Sequence, residues 1–422
     1  MFKFIHAADI HLDSPLHRLA EYDGAPVSEI RQSSRRAFEN LVDLAIDESV
    51  DFVLIAGDLF DGNWKDFNTG LYFVSQVRRL KAAGIPVWVI SGNHDAVGQM
   101  TRSLPFPDNV HLFDHKKPET RRLESLKVAV HGQSFATAVV MDNLALNYPQ
   151  PVAGWYNIGL LHTSLTGRDG HETYAPCTPD DLKTRGYDYW ALGHAHRYEM
   201  VCEDPAIVYS GCIQGRHIRE TGAKGCVLAT VEEGRPLEVS FIRIGVIAWE
   251  QVAVDLCGVD DEPGCLDRFK AALECQAASH VPLPVIARVV FSGSTRAHEQ
   301  IAGNPQRWVE MVRSAAIDAL GERVWIEKVA VNTKPGPRIK PIDHGPLLEL
   351  EQLVAEIGAS PAQLLELGEE LADLLRKLPA ECRQGEDPIA ANGPERMGRI
   401  LEQAHAVLVR WLEKGGPDDE AD

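Results

Sequence analysis

Val53-Leu54-Ile55-Ala56-Gly57-Asp58-Leu59-Phe60-Asp61 is an apolar run that stops on a glycine and a carboxylate. Four apolar residues in succession fit a strand buried on both faces of a parallel sheet. Gly57 lets the backbone approach a neighbour closely. Asp58 then arrives at the carboxyl end of the strand, where open α/β sheets keep their chemistry. A lone Gly-Asp after a strand usually caps a turn. The company Asp58 keeps argues for more.

The same pattern recurs on both sides of it. Lys3–Ala8 runs into Asp9-Ile10-His11, and Pro86–Ser91 into Gly92-Asn93-His94-Asp95. Lys127–Gly132 is a further strand, Asn157–Leu161 ends on His162, and Tyr189–Leu192 leads into Gly193-His194-Ala195-His196. Helices are expected from about Ser28 to Glu48, with Ala37, Leu41, Leu44 and Ala45 on one stripe, and from Asp66 to Ala83, closed by Gly84. Thr178 with Asp180 and Asp181 marks a short helix start. Strand-like runs at Ile207–Tyr209, Cys226–Val231 and Val239–Ile244 complete this part. The alternation predicts an α/β fold, two sheets face to face with helices outside.

From Ala248 a smaller α/β module follows: strand 250–256, helix 266–277, strand 285–291, helix 307–320 and strand 324–331. Thr333-Lys334-Pro335-Gly336-Pro337 reads as a stiff linker. Beyond it, Ser360-Pro361-Ala362-Gln363 has the form of a capping box opening a helix. Leu364, Leu367, Leu371, Leu374, Leu375 and Leu378 form an apolar stripe, as do Ile400, Leu401, Ala404, Val407, Leu408, Trp411 and Leu412. Stripes this apolar pack on each other, on the body or on a partner. The expected divisions are therefore 1–247, 248–332, a linker 333–346, a helical region 347–414 and an acidic tail 415–422.

Composition bounds the class. The chain has 422 residues, 45% apolar and 24% charged, as in ordinary globular proteins. No window reaches the length of apolar sequence that crosses a bilayer, and the N-terminus lacks a signal pattern, so a cytoplasmic location is expected. The eight cysteines form no C-x-x-C pair, which argues against a disulfide framework or zinc knuckle and for small, mostly buried residues. The net charge of −19 is uneven: 18 acidic and 7 basic residues lie in Pro341–Asp422, leaving 43 acids and 35 bases before it. A local basic groove for nucleic acid is compatible with that balance.

Asp9 and His11, Asp58, Asn93 with His94, His162, and His194 with His196 thus come from five strand ends. A pair of divalent cations about 3.5–4 Å apart needs a bridging carboxylate, neutral nitrogens and open positions for water and phosphate. Asp58 is the candidate bridge. The one-residue spacing in Asp9/His11 and His194/His196 puts both side chains of an extended pair on one side. Imidazole, carboxylate and amide without thiolate suit manganese or iron better than structural zinc.

In this order, D-x-H, G-D-x-x-D, G-N-H-D, H and G-H-x-H resemble the signature of the calcineurin-like metallophosphoesterases over roughly residues 1–245. The resemblance implies a four-layer αββα sandwich. It implies one ion on Asp9, His11, Asp58 and His196 and a second on Asp58, Asn93, His162 and His194. His94 would protonate the leaving oxygen, with Asp61 holding it.

Phe4–Pro15 and Gln214–Gly225, with the module after 248, are similar to SbcD-type DNA-repair exonucleases of the YhaO-like bacterial branch. That similarity implies manganese-dependent exonuclease action on DNA, with endonuclease action on single strands. It also implies a small capping domain, a homodimer, and an SMC-like ATPase partner bound by the C-terminal helices. Arg216, Arg219 and Lys224 are the candidate DNA phosphate contacts. The rival readings are a small-molecule phosphodiesterase and a non-catalytic DNA- or ATPase-binding scaffold.

Overall fold

The structure is a computed structural model, and it describes residues 1–14, 27–61, 67–96, 106–165, 174–336, 346–377 and 393–413. The chain folds into two compact units, Met1–Glu250 with His280–Ala287, and Gln251–Ser279 with Arg288 onward.

The first unit carries β1 (Phe2–Ala7), α1 (Val27–Asp47), β2 (Phe52–Ala56), α2 (Phe67–Ala82), β3 (Val87–Ile90), β4 (Val110–Leu112), β5 (Glu119–Leu123) and β6 (Val128–Gly132). It continues through β7 (Tyr156–His162), α3 (Pro179–Lys183), β8 (Tyr189–Gly193), β9 (Glu199–Glu203), β10 (Ala206–Tyr209), β11 (Gly225–Val231) and β12 (Glu238–Arg243). One six-stranded sheet runs β12-β11-β1-β2-β3-β4 and the other β5-β6-β7-β8-β10-β9.

The central strands β1, β2 and β3 are parallel, with Ile5 opposite Val53 and Ala56 opposite Ile90. In the second sheet β6, β7 and β8 are parallel, with Leu161 opposite Leu192. Every residue of β2, β3, β6 and β8 is buried, as expected of strands covered on both faces.

Three apolar layers follow. Phe4, Phe52, Trp88, Ile158, Leu160 and Tyr189 fill the space between the sheets. Phe4 stacks on Phe52 and meets Tyr189 edge-on, both with centroids 5.1 Å apart. Ala37, Leu41 and Ala45 of α1 and Phe73, Val77 and Leu80 of α2 cover the first sheet. Leu182 of α3 and Tyr148 cover the second with Trp190 and Tyr209. The expected αββα layering is present.

β4, β5 and β9 were not anticipated. All three are edge strands. β5 and β9 have no buried residue and β4 has one, so no apolar run marks them. α3 starts as its residues foretold, with Thr178 and Asp181 forming a capping box.

In the second part of the chain β13 (Ala248–Asp255), β14 (Val285–Thr295) and β15 (Val324–Pro335) make a three-stranded sheet. With it lie α4 (Glu262–Ala278), α5 (His298–Gly303) and α6 (Pro305–Leu320). β15 runs to Pro335, so Thr333, Lys334 and Pro335 continue a strand instead of opening the expected linker.

α7 (Pro346–Ala359), α8 (Pro361–Lys377) and α9 (Pro394–Glu413) pack on one another, and α9 also packs on α5. The short α5 had no sequence expectation, whereas α7 lies in the region expected to be helical from 347 to 414. Residues 337–345 of the linker, Leu378 and the tail 415–422 lie outside the described residues, as do the side chains of Leu374, Leu375, Trp411 and Leu412.

Cys177, Cys212, Cys226 and Cys265 are buried, but Cys257 and Cys275 are exposed. Among the described residues no helix is long and apolar enough to cross a membrane.

Candidate metal centre

Both sheets present their carboxyl-terminal strand ends to one place. β1, β2 and β3 deliver Asp9, Asp58 and Asn93 with His94, while β7 and β8 deliver His162 and His194 with His196. The backbone is bent to do so: Asp9, His11, Asp13, Asp58 and His194 all have positive φ. Residues with a Cβ hold that conformation at a cost, and such positions cluster at functional sites. Gly57, at φ 92, has no room for a Cβ against the His162 ring.

Asp58 sits at the middle. Its Oδ2 is 3.8 Å from His11 Nε2 on one side and 3.5 Å from His162 Nε2 on the other. Its Oδ1 accepts the His94 backbone N–H at 2.9 Å. One oxygen between two imidazoles is the arrangement a bridging ligand needs.

Two cradles meet there. Asp9, His11 and His196 bring ligand atoms within 4.8 Å of one another, and so do Asp9, Asp58 and His162. His194 donates its backbone N–H to both Asp9 oxygens at 3.1 and 3.0 Å. Its ring lies edge-on to His162, centroids 5.3 Å apart, beside the second cradle.

The donor set fits cations. His162 Nδ1 donates to the Ala56 carbonyl at 2.9 Å, which leaves a bare Nε2. That nitrogen faces Asn93 Oδ1 at 3.0 Å as well as Asp58 Oδ2. Lone pairs turned on one another repel, and a cation between them reconciles them.

His196 repeats the pattern. Its Nδ1 donates to Glu220 Oε1 at 2.7 Å, and its Nε2 faces His11 Nε2 at 3.4 Å. His11 Nδ1 is buried with no hydrogen-bond partner.

Burial governs the charges. It pushes Asp58 up to about 6, and with repulsion from Asp58 it pushes Asp9 well above the carboxylate range. It lowers His162 to about 3 and His11 well below its ordinary value. Neutral imidazoles and uncompensated buried acids are the state that binding of divalent ions relieves.

Beside the cradles, His94 Nδ1 lies 2.5 Å from Asp61 Oδ1. Burial alone would raise Asp61, but hydrogen bonds from His94 and Ser14 hold it down at about 2. The hydrogen bond to Asp61 in turn raises His94 above 6.5. His94 keeps 40% of its side chain exposed, and one of its ring nitrogens lies within 4.8 Å of ligand atoms of His11 and Asp58.

Three supporting residues had no role in the sequence reading. Glu220 falls within Gln214–Gly225, but no strand marks it. Asp95 accepts from Gly92 N at 2.7 Å and Leu59 N at 2.8 Å, tying the Asp58 and Asn93 loops together. Ser14 donates to Asp61. Cys212, near His196 and Glu220, keeps its proton because burial pushes its thiol up to about 12.

Two expected DNA contacts are turned inward. Lys224 is 7% exposed and donates to the His196 carbonyl at 2.8 Å. Arg216 is paired with Glu220 and Asp61. The loop turns Arg216 onto the buried Glu220 carboxylate and Lys224 onto a backbone carbonyl. Arg219 is exposed.

Comparison with known proteins agrees with this geometry. Residues 2–198 match the calcineurin-like phosphoesterase family model, and residues 249–334 match the middle domain of metallophosphoesterase YhaO. The chain is similar to the uncharacterized metallophosphoesterase YhaO of Bacillus subtilis, 40% identical over 257 residues, or 60% of this chain and 63% of that protein. It is similar to the DNA double-strand break repair protein Mre11 of Sulfurisphaera tokodaii, 30% identical over 200 residues, or 46% and 49%. The Mre11 of Aeropyrum pernix is 29% identical over 273 residues, or 61% and 64%. The chain thus spans less than two thirds of the length of these relatives. Calcineurin-like phosphoesterases are hydrolases that use a dinuclear divalent metal site, and residues 2–198, which gather strand-end aspartates and histidines in two adjoining cradles, form a calcineurin-like metallophosphoesterase domain.

Proposed function

We propose that the chain is a manganese-dependent DNA nuclease of repair, an exonuclease with endonuclease action on single strands. The observation that carries the phosphodiesterase chemistry is Asp58 Oδ2 between His11 and His162, with the His94–Asp61 pair alongside. The likeness to the repair protein Mre11 favours DNA as the substrate.

When bound, the ion pair supplies positive charge for phosphoryl oxygens and an acidified water. The chain's own residues do the rest. Asp61 accepts a hydrogen bond from His94 Nδ1–H and favours the protonated imidazole, whose other N–H can give its proton to the departing oxygen. Asp95 fixes the two loops that carry Asp58 and His94.

A homodimer and an SMC-like ATPase partner belong to the same proposal. Exposed Leu353, Leu365, Val407 and Leu408 on α7, α8 and α9 favour a partner there. Co-purification with such an ATPase, lost on replacing these four residues with serine, is the expected result.

End-labelled single- and double-stranded DNA, digested with Mn²⁺ by wild type and Asp58→Ala, tests the nuclease assignment. Shortening by wild type alone is expected. Rapid hydrolysis of small phosphodiesters with DNA untouched overturns it.

A further inference from the structure

Arg216 joins the two halves of the site. Its Nη2 lies 2.8 Å from Glu220 Oε1, and its backbone N–H donates to Glu220 Oε2 at 2.7 Å. From the other edge of the guanidinium, Nη1 lies 3.4 Å from Asp61 Oδ2. Glu220 Oε1 accepts a hydrogen bond from His196 Nδ1 at 2.7 Å, and Asp61 Oδ1 accepts one from His94 Nδ1 at 2.5 Å. The five side chains make one unbroken line, His196–Glu220–Arg216–Asp61–His94. A candidate metal ligand stands at one end and the candidate proton donor at the other.

We infer that Arg216 is a positioning residue that sets these two ends relative to one another, fixing His196 through Glu220 and His94 through Asp61. The inference rests on the metal-dependent phosphodiesterase reading and adds to it a residue in neither cradle.

A charge effect alone predicts the opposite behaviour. A fixed cation beside the cradles repels divalent ions, so removing it would tighten metal binding. Positioning predicts that removal weakens binding. Glu220 is 5% exposed and keeps His196 in one tautomer. Without the guanidinium, Glu220 and Asp61 are two carboxylates with nothing between them. Lysine keeps the charge but not the planar fork that spans both acids.

The test is calorimetric titration of metal-free protein with Mn²⁺, without DNA, together with steady-state cleavage. Wild type is compared with Arg216→Lys, Arg216→Ala and Glu220→Gln. All three variants should bind one Mn²⁺ about 10–100-fold more weakly, the usual effect of losing a group that orients a ligand. The two Arg216 variants should lose kcat while KM for DNA stays near wild type. Free guanidinium ion should partly restore both properties to Arg216→Ala, which general loss of structure would not allow.

Thermal unfolding of the metal-free variants shows which are folded, and Arg216→Lys carries the test if Arg216→Ala is not. Wild-type Mn²⁺ binding by Arg216→Lys, or tighter binding by Arg216→Ala, overturns the inference. A wild type that binds no Mn²⁺ overturns the phosphodiesterase reading itself, and is distinct from a metal-binding wild type whose variants behave identically.

Discussion

His94 Nδ1 and Asp61 Oδ1 lie 2.5 Å apart, although 33 residues and the whole of α2 separate them in sequence. The contact keeps one imidazole nitrogen occupied and leaves the other for a substrate proton. His94→Ala should therefore lower kcat by about 10²–10⁴, the range of general acid catalysis, and leave Mn²⁺ affinity near wild type.

The pH dependence follows from the same contact. Asp61 raises His94 above 6.5, so the proton-bearing form persists further into the alkaline range. The rate should fall as pH rises through that elevated value. Asp61→Asn removes the carboxylate, and the alkaline limb of the kcat profile should move to lower pH.

Asp58 reaches a histidine of each cradle with a single oxygen. Asp58→Asn keeps its shape and loses its charge. Calorimetry should then show at most one Mn²⁺ bound in place of two, with DNA cleavage lost.

Gly57 combines positive φ with the absence of room beside His162. Gly57→Ala should cost at least about 1–2 kcal/mol in chemical unfolding, the penalty of a left-handed non-glycine residue. Because the added methyl meets His162, Mn²⁺ affinity should fall with it.

His6 lies between Tyr189 OH and the Leu192 carbonyl, each 3.1 Å from a ring nitrogen. Burial lowers it to about 3. A depressed histidine stabilises the fold above its unfolded value of 6.5, and that stability is lost as pH falls toward 3. Replacing His6 with Phe should flatten the decline in unfolding free energy across that window, measured by urea titration at successive pH values.

The ligand-bearing strands were legible because parallel strands covered on both faces must be apolar throughout. Phe52–Ala56 announces itself, and so do the residues that follow it. Glu119–Leu123 does not, since an edge strand half in water carries charge freely. Glu220 escaped because its role depends on a histidine 24 residues away and no local pattern encodes that meeting. Arg216 and Lys224 were candidate phosphate contacts, with solvated loop charges as the alternative. Here a buried carboxylate and a backbone carbonyl supply what water would have given.

The bond from His162 to the Ala56 carbonyl spans the sandwich, since β7 and β2 belong to different sheets. The rings of Phe4, Phe52 and Tyr189 fill the gap it crosses. The thickness of that aromatic filling therefore gauges how far the end of β2, which leads into Asp58, stands from His162. A slimmer side chain at Phe52 would let the two sheets settle toward each other and shift the Asp58 loop against His162.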